Sequence, residues 1–301
     1  MSGAHSHKVP ENLDSKLKLG LLLNTGFTVF EFALGFLSGS LALISDAAHN
    51  LTDSMSLAIS YTANKIADRD GNVEKTYGYG RATILAALIN TLILFGLAFY
   101  IFYEAYQRIL YPEPVVGKLV AMVALVGIII NGSVAALFYK SRGDLNMKSA
   151  FLSMFFDMLA SVGALIAGLI IMFTDLTIVD PLMSILIGLM LIMSAWGVGK
   201  EAIHILLDGV PEGIDVQKVK EAILNVSGVH ALDDLHVWAL STRKAALSCH
   251  LVIQDCRLEE GVGLVSVVKK MLHDNFRIDH VTIETQLRKG PHDKERINEG
   301  M

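Results

Sequence analysis

Four long runs of this chain carry no Asp, Glu, Lys or Arg, and this feature restricts the possible folds more than any other. The runs are 84–103, 119–139, 158–174 and 181–199. A helix needs about 20 mostly apolar residues to cross the roughly 30 Å hydrocarbon core of a bilayer. Since 52% of the 301 residues are hydrophobic and only 18% are charged, an ordinary soluble protein is excluded. The sequence predicts a multispanning membrane protein.

Two further segments, 17–37 and 42–67, are also apolar, which gives six predicted spans in a domain covering 17–207. These two segments carry Glu31, Asp46, His49 and Asp53. Residues 1–16 are predicted to form a cytoplasmic N-terminal tail. Ionisable groups inside a span are costly and usually face the interior of the helix bundle.

The positive charges predict the orientation of the spans. Lys and Arg are concentrated before the first span, between the second and third, and between the fourth and fifth, whereas the opposite connections hold few of them. Connections rich in Lys and Arg stay on the cytoplasmic side. We therefore expect a multi-pass protein of the cell (inner) membrane with both termini in the cytoplasm.

After residue 207 the composition changes, and the sequence predicts a soluble cytoplasmic domain over 208–290 with a polar tail at 291–301. Helical spacing is found at 216–226 and 258–276, and strand-like alternation at 230–240, 245–253 and 280–287. The predicted order is αββαβ, a small sheet with two helices on one face. Alternation in the second and third strands turns Leu247, Cys249, Leu251, Ile253, Val281 and Ile283 toward the core and His250, His280 and Glu284 away from it.

Two pairs of polar residues in the spans share one spacing. His49 and Asp53 are four residues apart in the second span, and Ser153 and Asp157 are four residues apart in the fifth. Residues at this spacing lie on one helix face. If the two faces meet, one nitrogen and two carboxylates offer three ligands to a divalent cation, and Ser153 would complete a tetrahedral set. Taken singly, each residue also fits a second interpretation, as a hydrogen-bonding residue at a helix contact.

The remaining polar residues of the spans have simpler interpretations. Glu31, Asn90 and Asn131 are expected to form interhelical hydrogen bonds rather than to bind a metal. Asp46 and Asp180 lie near predicted span ends, where contact with water would lower the free-energy cost of a charged side chain.

Several motifs together resemble the cation diffusion facilitator family, in its CzcD-like bacterial branch of zinc/proton antiporters. In the part before residue 207 they are "EFALGFLSGSLALISDAAHNLTD", "YGYGRATILAALINTLIL", "NMKSAFLSMFFDMLASVGALIAG" and "VDPLMSILIG". In the part after it they are "DLHVWALS", "ALSCHLVIQD" and "HVTIET". The resemblance implies a Y-shaped homodimer with six spans and a ferredoxin-like cytoplasmic domain that exports divalent metal in exchange for protons. It also implies a transport site formed by His49, Asp53, position 153 and Asp157.

In the cytoplasmic domain, His236, His250, His280 and Glu284 are candidates for a regulatory metal site at the dimer contact. The alternative, that they are exposed polar residues on a sheet face, has equal weight. Asp233 stands where relatives can have another His.

One departure from the family pattern concerns the metal. Zinc-selective members have His-x-x-x-Asp in both the second and fifth spans, whereas this chain has Ser153 in the fifth. Zinc is the expected substrate because His49 is present, and Mn²⁺, Fe²⁺, Co²⁺ or Cd²⁺ are alternatives because a hydroxyl is a harder ligand than an imidazole. A further alternative is a partner subunit that does not transport. No enzymatic activity, cofactor or nucleic-acid partner is expected, since there is no HExxH-like sequence and no basic patch.

Overall fold

The computed structural model describes residues 11–139, 145–242, 244–253 and 258–287. Eleven helices and strands follow one another in the described chain: α1 (Glu11–Ser38), α2 (Leu41–Ala67), α3 (Ala82–Leu110), α4 (Gly117–Tyr139), α5 (Leu145–Thr174), α6 (Val179–Leu206), α7 (Val216–Leu224), β1 (Val229–Ala239), β2 (Ala245–Ile253), α8 (Leu258–Phe276) and β3 (Ile278–Leu287). Helix α1 begins at Glu11, within the predicted N-terminal tail. The predicted tail 291–301 lies outside the described residues.

Within the described ranges, four helices are long and apolar enough to cross a membrane: Ala82–Leu110, Gly117–Leu137, Phe151–Thr174 and Val179–Leu206. They correspond to α3 through α6 and to the four uncharged runs, so these spans agree with the prediction. In α1 the apolar stretch is shorter, Leu22–Ser38. Helix α2 carries a series of polar residues, including the buried Ser45, Asp46, Asn50 and Thr52. Because of this polarity, α1 and α2 stay predicted spans.

The chain divides into two compact units, and the first consists of Met1–Ala58 and Asn90–Gly197. Here α4 packs against both α1 and α5. Small residues line the contact between α4 and α5: a Cβ placed on Gly117 would lie 2.7 Å from the backbone oxygen of Gly168. Packing of backbones against each other through glycine and alanine is typical of helix contacts in membranes. This contact fixes the position of α5, which carries Asp157.

The second unit consists of Ile59–Ile89 and Val198–Met301 and contains a three-stranded sheet in the order β1-β2-β3. Strands β1 and β2 are antiparallel, and β2 and β3 are parallel. Helix α7 begins at Asp215, whose carboxylate accepts hydrogen bonds from the backbone N–H groups of Gln217 and Lys218. The order of elements is the predicted αββαβ.

The core of this sheet lies on one face and includes residues of both α7 and α8. Its buried members include Val219, Ile223, Leu247, Cys249, Leu251, Ile253, Val268 and Leu272, with Val281 and Ile283 packed against them. His280 and Glu284 are exposed and His250 is partly buried. The alternation in the sequence therefore assigned the two faces of β2 and β3 correctly.

Candidate metal site between α2 and α5

The metal-ligand pair predicted on α2 is present as one side-chain cluster. Since His49 and Asp53 lie one helical turn apart, their side chains face the same direction, and Nδ1 of His49 is 3.8 Å from Oδ1 of Asp53. The side chain of His49 is 24% exposed and that of Asp53 is 47% exposed. Nδ1 of His49 has no hydrogen-bond partner among the described residues. A nitrogen and a carboxylate are thus close together and able to bind a cation.

Asp157 lies on α5 and is buried, with 7% of its surface exposed. Its carboxyl group interacts electrostatically with those of Asp46 and Asp53 on α2. The backbone carbonyl of Asp157 accepts a hydrogen bond from the hydroxyl of Ser161, at 3.0 Å. The structure therefore brings the acidic residues of α2 and α5 within electrostatic range of one another.

Ser153 lies one turn before Asp157 and is exposed. In the part of the chain that the structure describes, no three His, Cys, Asp or Glu side chains are arranged closely enough to hold a metal ion. The structure thus brings together His49, Asp53 and Asp157 in one region without closing them into a finished coordination sphere. The four-ligand set, with Ser153 as its fourth member, stays a prediction.

Two buried carboxyl groups lie beside this region, and one of them differs from its sequence interpretation. Glu31 on α1 and Asp46 on α2 share a hydrogen bond, and Glu31 also interacts electrostatically with Asp157. Glu31 was expected to form an interhelical hydrogen bond, and it does. Asp46 was expected to contact water, yet only 4% of its surface is exposed. The sequence did contain an indication that Asp46 is buried near the proposed site. It precedes His49 by three residues and so lies on the same face of α2.

Several buried polar atoms of the first unit have no hydrogen-bond partner within the described chain. They include Oε2 of Glu31, Oγ of Ser45, Nδ2 of Asn50 and both amide atoms of Asn131. Buried polar atoms without a partner are rare in proteins, and they often mark a place where an ion or a water molecule binds. Buried polar groups of this kind therefore occur on α1, α2 and α4 of the first unit.

On the sheet of the second unit, three of the four predicted cytoplasmic residues form a cluster. Nε2 of His250 is 3.5 Å from Oε2 of Glu284 and 3.8 Å from Oδ2 of Asp234, and Nε2 of His236 is 2.8 Å from Oδ1 of Asp234. His280 lies four positions before Glu284 on β3, or about 13 Å along the strand, and its ring contacts that of Tyr77. The structure does not bring His280 to the other three.

Sequence reasoning missed Asp234, which connects the two histidines of this cluster. A register shift lies between Asp233 and His236 on β1, and Asp234 has a positive φ of 52°. Such a bulge breaks the alternation of side chains and re-aims one of them. Asp233, the position singled out in the sequence, pairs with His250 across the strands instead.

Two family models match the chain. The model of the cation efflux transmembrane domain matches residues 17–207, and that of the cation efflux protein cytoplasmic domain matches residues 211–286.

Individual relatives match over nearly the whole chain. The "Cation efflux system protein CzcD" of Alcaligenes sp. (strain CT14) is 41% identical over 95% of this chain and 91% of its own length. The "Cadmium, cobalt and zinc/H(+)-K(+) antiporter" of Bacillus subtilis (strain 168) is 36% identical over 96% and 94%. A solved structure, "Metal-bound C-terminal domain of the CzcD transporter from Cuprividus metallidurans", is 39% identical and covers 25% of this chain and 100% of that one, with a TM-score of 0.23. The chain belongs to the cation efflux, or cation diffusion facilitator, family of membrane transporters, in its CzcD-like branch.

Proposed function

We propose that this protein exports divalent metal cations, zinc first among them, from the cytoplasm in exchange for protons. The observation that carries the proposal is the approach of two faces inside an apolar helix bundle: the His49–Asp53 pair of α2 and the buried Asp157 of α5. Two carboxylates and an imidazole suit a zinc-like cation. Both relatives are named for the transport of cations, and the name of the Bacillus subtilis relative, a cadmium, cobalt and zinc/H(+)-K(+) antiporter, supports an exchange that includes protons.

The exposure of the site residues suggests the side from which the metal enters. Asp157 is buried, whereas Asp53 and Ser153 are accessible. In the predicted orientation, Asp53 and Ser153 lie closer to the cytoplasmic ends of their helices than His49 and Asp157 do. We propose that cytoplasmic metal enters the site past Asp53 and Ser153.

Proton exchange follows from the chemistry of the ligands. Carboxylates and imidazole bind a metal only when they are deprotonated, so metal and protons compete for the same atoms. When the site opens to the other side, external protons displace the metal. His49 and the two carboxylates are the groups of the proposed site that can hold either a proton or the metal.

Ser153 bears on the choice among metals. A neutral hydroxyl is a poorer zinc ligand than imidazole and a better match for harder ions. A water molecule in place of the missing imidazole would complete the coordination of zinc. Zinc remains the proposed substrate, with Mn²⁺, Fe²⁺, Co²⁺ and Cd²⁺ as competitors to be compared directly.

The decisive experiment is transport by the purified protein in reconstituted vesicles, with each of the five metals supplied in turn. We expect zinc movement coupled to an opposite change in lumenal pH, loss of transport in Asp157→Asn, and normal transport in the control Asp175→Asn, where an exposed carboxylate is changed. Zinc transport without any pH change would refute the exchange. Absence of transport of every metal would favour the partner-subunit alternative.

A second variant tests the fourth ligand. Ser153→His restores the imidazole of zinc-selective relatives, and we expect it to raise the preference for zinc over Mn²⁺. If rate and preference are both unchanged, position 153 does not contact the metal.

The arrangement in the membrane is part of the proposal. We infer six spans with both termini in the cytoplasm of the inner membrane, a domain boundary near residue 207, and a homodimer in which the αββαβ domain is ferredoxin-like. Labelling of single introduced cysteines in the predicted loops from each side of sealed vesicles tests the orientation. Labelling of a cysteine in the 68–81 loop from the side of the membrane that faces away from the cytoplasm would refute the proposed orientation.

We further propose that the cytoplasmic cluster binds a regulatory metal ion, with His236, Asp234, His250 and Glu284 as its donors. The support is a chain of three neighbouring pairs at 2.8 to 3.8 Å, Asp234 with His236, Asp234 with His250, and His250 with Glu284, which would have to close further around a bound ion. His280 would lie outside this set because it contacts Tyr77.

A further inference from the structure

Asp180, the second residue of α6, is completely buried although it was expected to contact water. Its carboxylate accepts hydrogen bonds from the hydroxyl of Ser40 at 2.5 Å and from the backbone N–H groups of Leu41 at 2.6 Å and Ala42 at 3.4 Å. These two N–H groups are the first of α2. The backbone N–H groups at the start of a helix have no partner within the helix, and a negative charge is favourable there. A carboxylate of α6 therefore holds the first turn of α2.

This contact is additional to a cap that α2 already possesses. Ser40 precedes α2, and its hydroxyl oxygen accepts a hydrogen bond from the N–H of Leu43 at 3.2 Å. A serine in this position is a sufficient local cap for most helices. The interaction with Asp180 is thus not needed to start the helix, and its distinctive effect is to fix the end of α2 to α6.

Arg108, near the end of α3, extends the same network. Its guanidinium group lies 3.3 Å from Glu104, 3.1 Å from Glu113 and 4.0 Å from Asp180, and it donates a hydrogen bond to the carbonyl oxygen of Gly39. Gly39 forms the turn between α1 and α2, with a φ of +69° that favours glycine. The start of α2 is therefore held by groups from α3 and α6 together.

The metal site lies on the same rigid helix as this fixed end. With a rise of 1.5 Å per residue, His49 lies about 12 Å and Asp53 about 18 Å along α2 from Leu41. A tilt of α2 by about 5° about its capped end would move these two residues by about 1 Å and about 1.6 Å. Metal sites tolerate deviations of only about 0.2 Å in ligand distance.

We infer that Asp180 is a positioning residue for metal binding, which sets the angle of α2 and thereby the distance of His49 and Asp53 from Asp157. The inference rests on the proposed function, because it assumes that these residues bind the transported metal. Asp180 itself does not contact the metal. Its effect reaches the site through the rigid body of α2.

The test compares Asp180→Ala and Asp180→Asn with Leu191→Ala, a cavity-forming change on the same helix at a fully buried apolar residue. Zinc transport in vesicles is measured over a range of zinc concentrations, and thermal unfolding is measured in parallel. For Asp180→Ala we expect the KM for zinc to rise about 10-fold or more, the order seen when supporting groups of a metal site are lost. Asp180→Asn, which keeps one acceptor oxygen, should show a smaller rise.

Leu191→Ala separates a positioning role from simple loss of stability. Truncation of a buried Leu should lower the unfolding temperature, with the KM for zinc unchanged. If Asp180→Ala also lowers only the unfolding temperature or the amount of active protein, Asp180 has a structural role alone and the inference is wrong. If the native protein transports no metal in these vesicles, the proposed function fails, whatever the variants do.

Discussion

The contact between α4 and α5 provides a test of how closely the helix that carries Asp157 must pack. A Cβ placed on Gly168 of α5 would lie 2.6 Å from the backbone nitrogen of Ala121, and 3.0 Å from both Cα of Ala121 and the carbonyl oxygen of Gly117. All three atoms belong to the backbone of α4. A side chain could rotate away from the new methyl group, whereas these atoms can move only if the helices separate.

The magnitude of the effect of Gly168→Ala follows from these distances. Carbon atoms in good contact are about 3.5 Å apart or more, so α4 and α5 must separate locally by about 0.9 Å. Overpacking of this kind typically costs about 1–3 kcal/mol. Replacing glycine by alanine inside a helix offsets about 1 kcal/mol of this cost. We expect a net destabilisation of up to about 2 kcal/mol and a displacement of α5 that lowers the affinity for zinc.

The assay is thermal unfolding of the purified protein in detergent together with zinc transport in vesicles. The matched control is Gly96→Ala on α3, since a Cβ on Gly96 meets no atom within 4 Å in the described structure. Gly96→Ala should be as stable as the native protein or more stable, and should transport zinc normally. Equal unfolding temperatures for Gly168→Ala and Gly96→Ala would show that α4 and α5 accommodate the new methyl group without separating.

Two further predictions concern the cytoplasmic domain. The first uses protein that carries Asp157→Asn, so that the zinc measured by equilibrium dialysis is bound by the cytoplasmic domain. His250→Ala should remove this zinc, and the control His280→Ala should not. Equal losses in both variants would contradict the proposed donor set. Burial raises the pKa of the Cys249 thiol to about 11, so in Cys256→Ser protein at pH 9 its alkylation should be at least about 50-fold slower than that of a free thiol. Because the folded state keeps this proton to higher pH than the unfolded state, Cys249 should lower the free energy of unfolding as the pH rises from about 9 toward 11. Alkylation at the free-thiol rate would show that the thiol is accessible.

The cytoplasmic sheet could be predicted from sequence because its strands alternate between two environments. Leu247 and Leu251 are buried and His250 is not, as the period of two requires. The prediction lost accuracy where the period was broken, at the bulge on β1 that turns Asp234 toward His236. A bulge adds a residue without any signal in hydrophobicity, so the sequence could not assign Asp234 to the cluster.

For the membrane helices, too, the sequence predicted the elements but not all of the contacts between them. Uncharged runs predicted α3 through α6 because apolar length is the physical requirement for a span. They could not predict the partners of Asp180, since a carboxylate near the end of a span can face water or another helix equally well. Its burial depends on the turn at Gly39 and on Ser40, which lies 140 residues away in the sequence.

Ser153 and Asp157 on α5 show how much of the proposed metal site the spacing of residues can predict. Ser153 and Asp157 share a helix face by spacing, yet Asp157 is buried and Ser153 is exposed. A spacing of four residues determines the direction of a side chain around the helix axis, whereas exposure depends also on its depth along the axis and on the neighbours at that level. Depth decides whether water can reach a coordination position, and water at that position can replace a missing imidazole. In the proposed site, the metal preference would therefore depend on the depth of position 153 as much as on its residue type, which is why the sequence alone left it open.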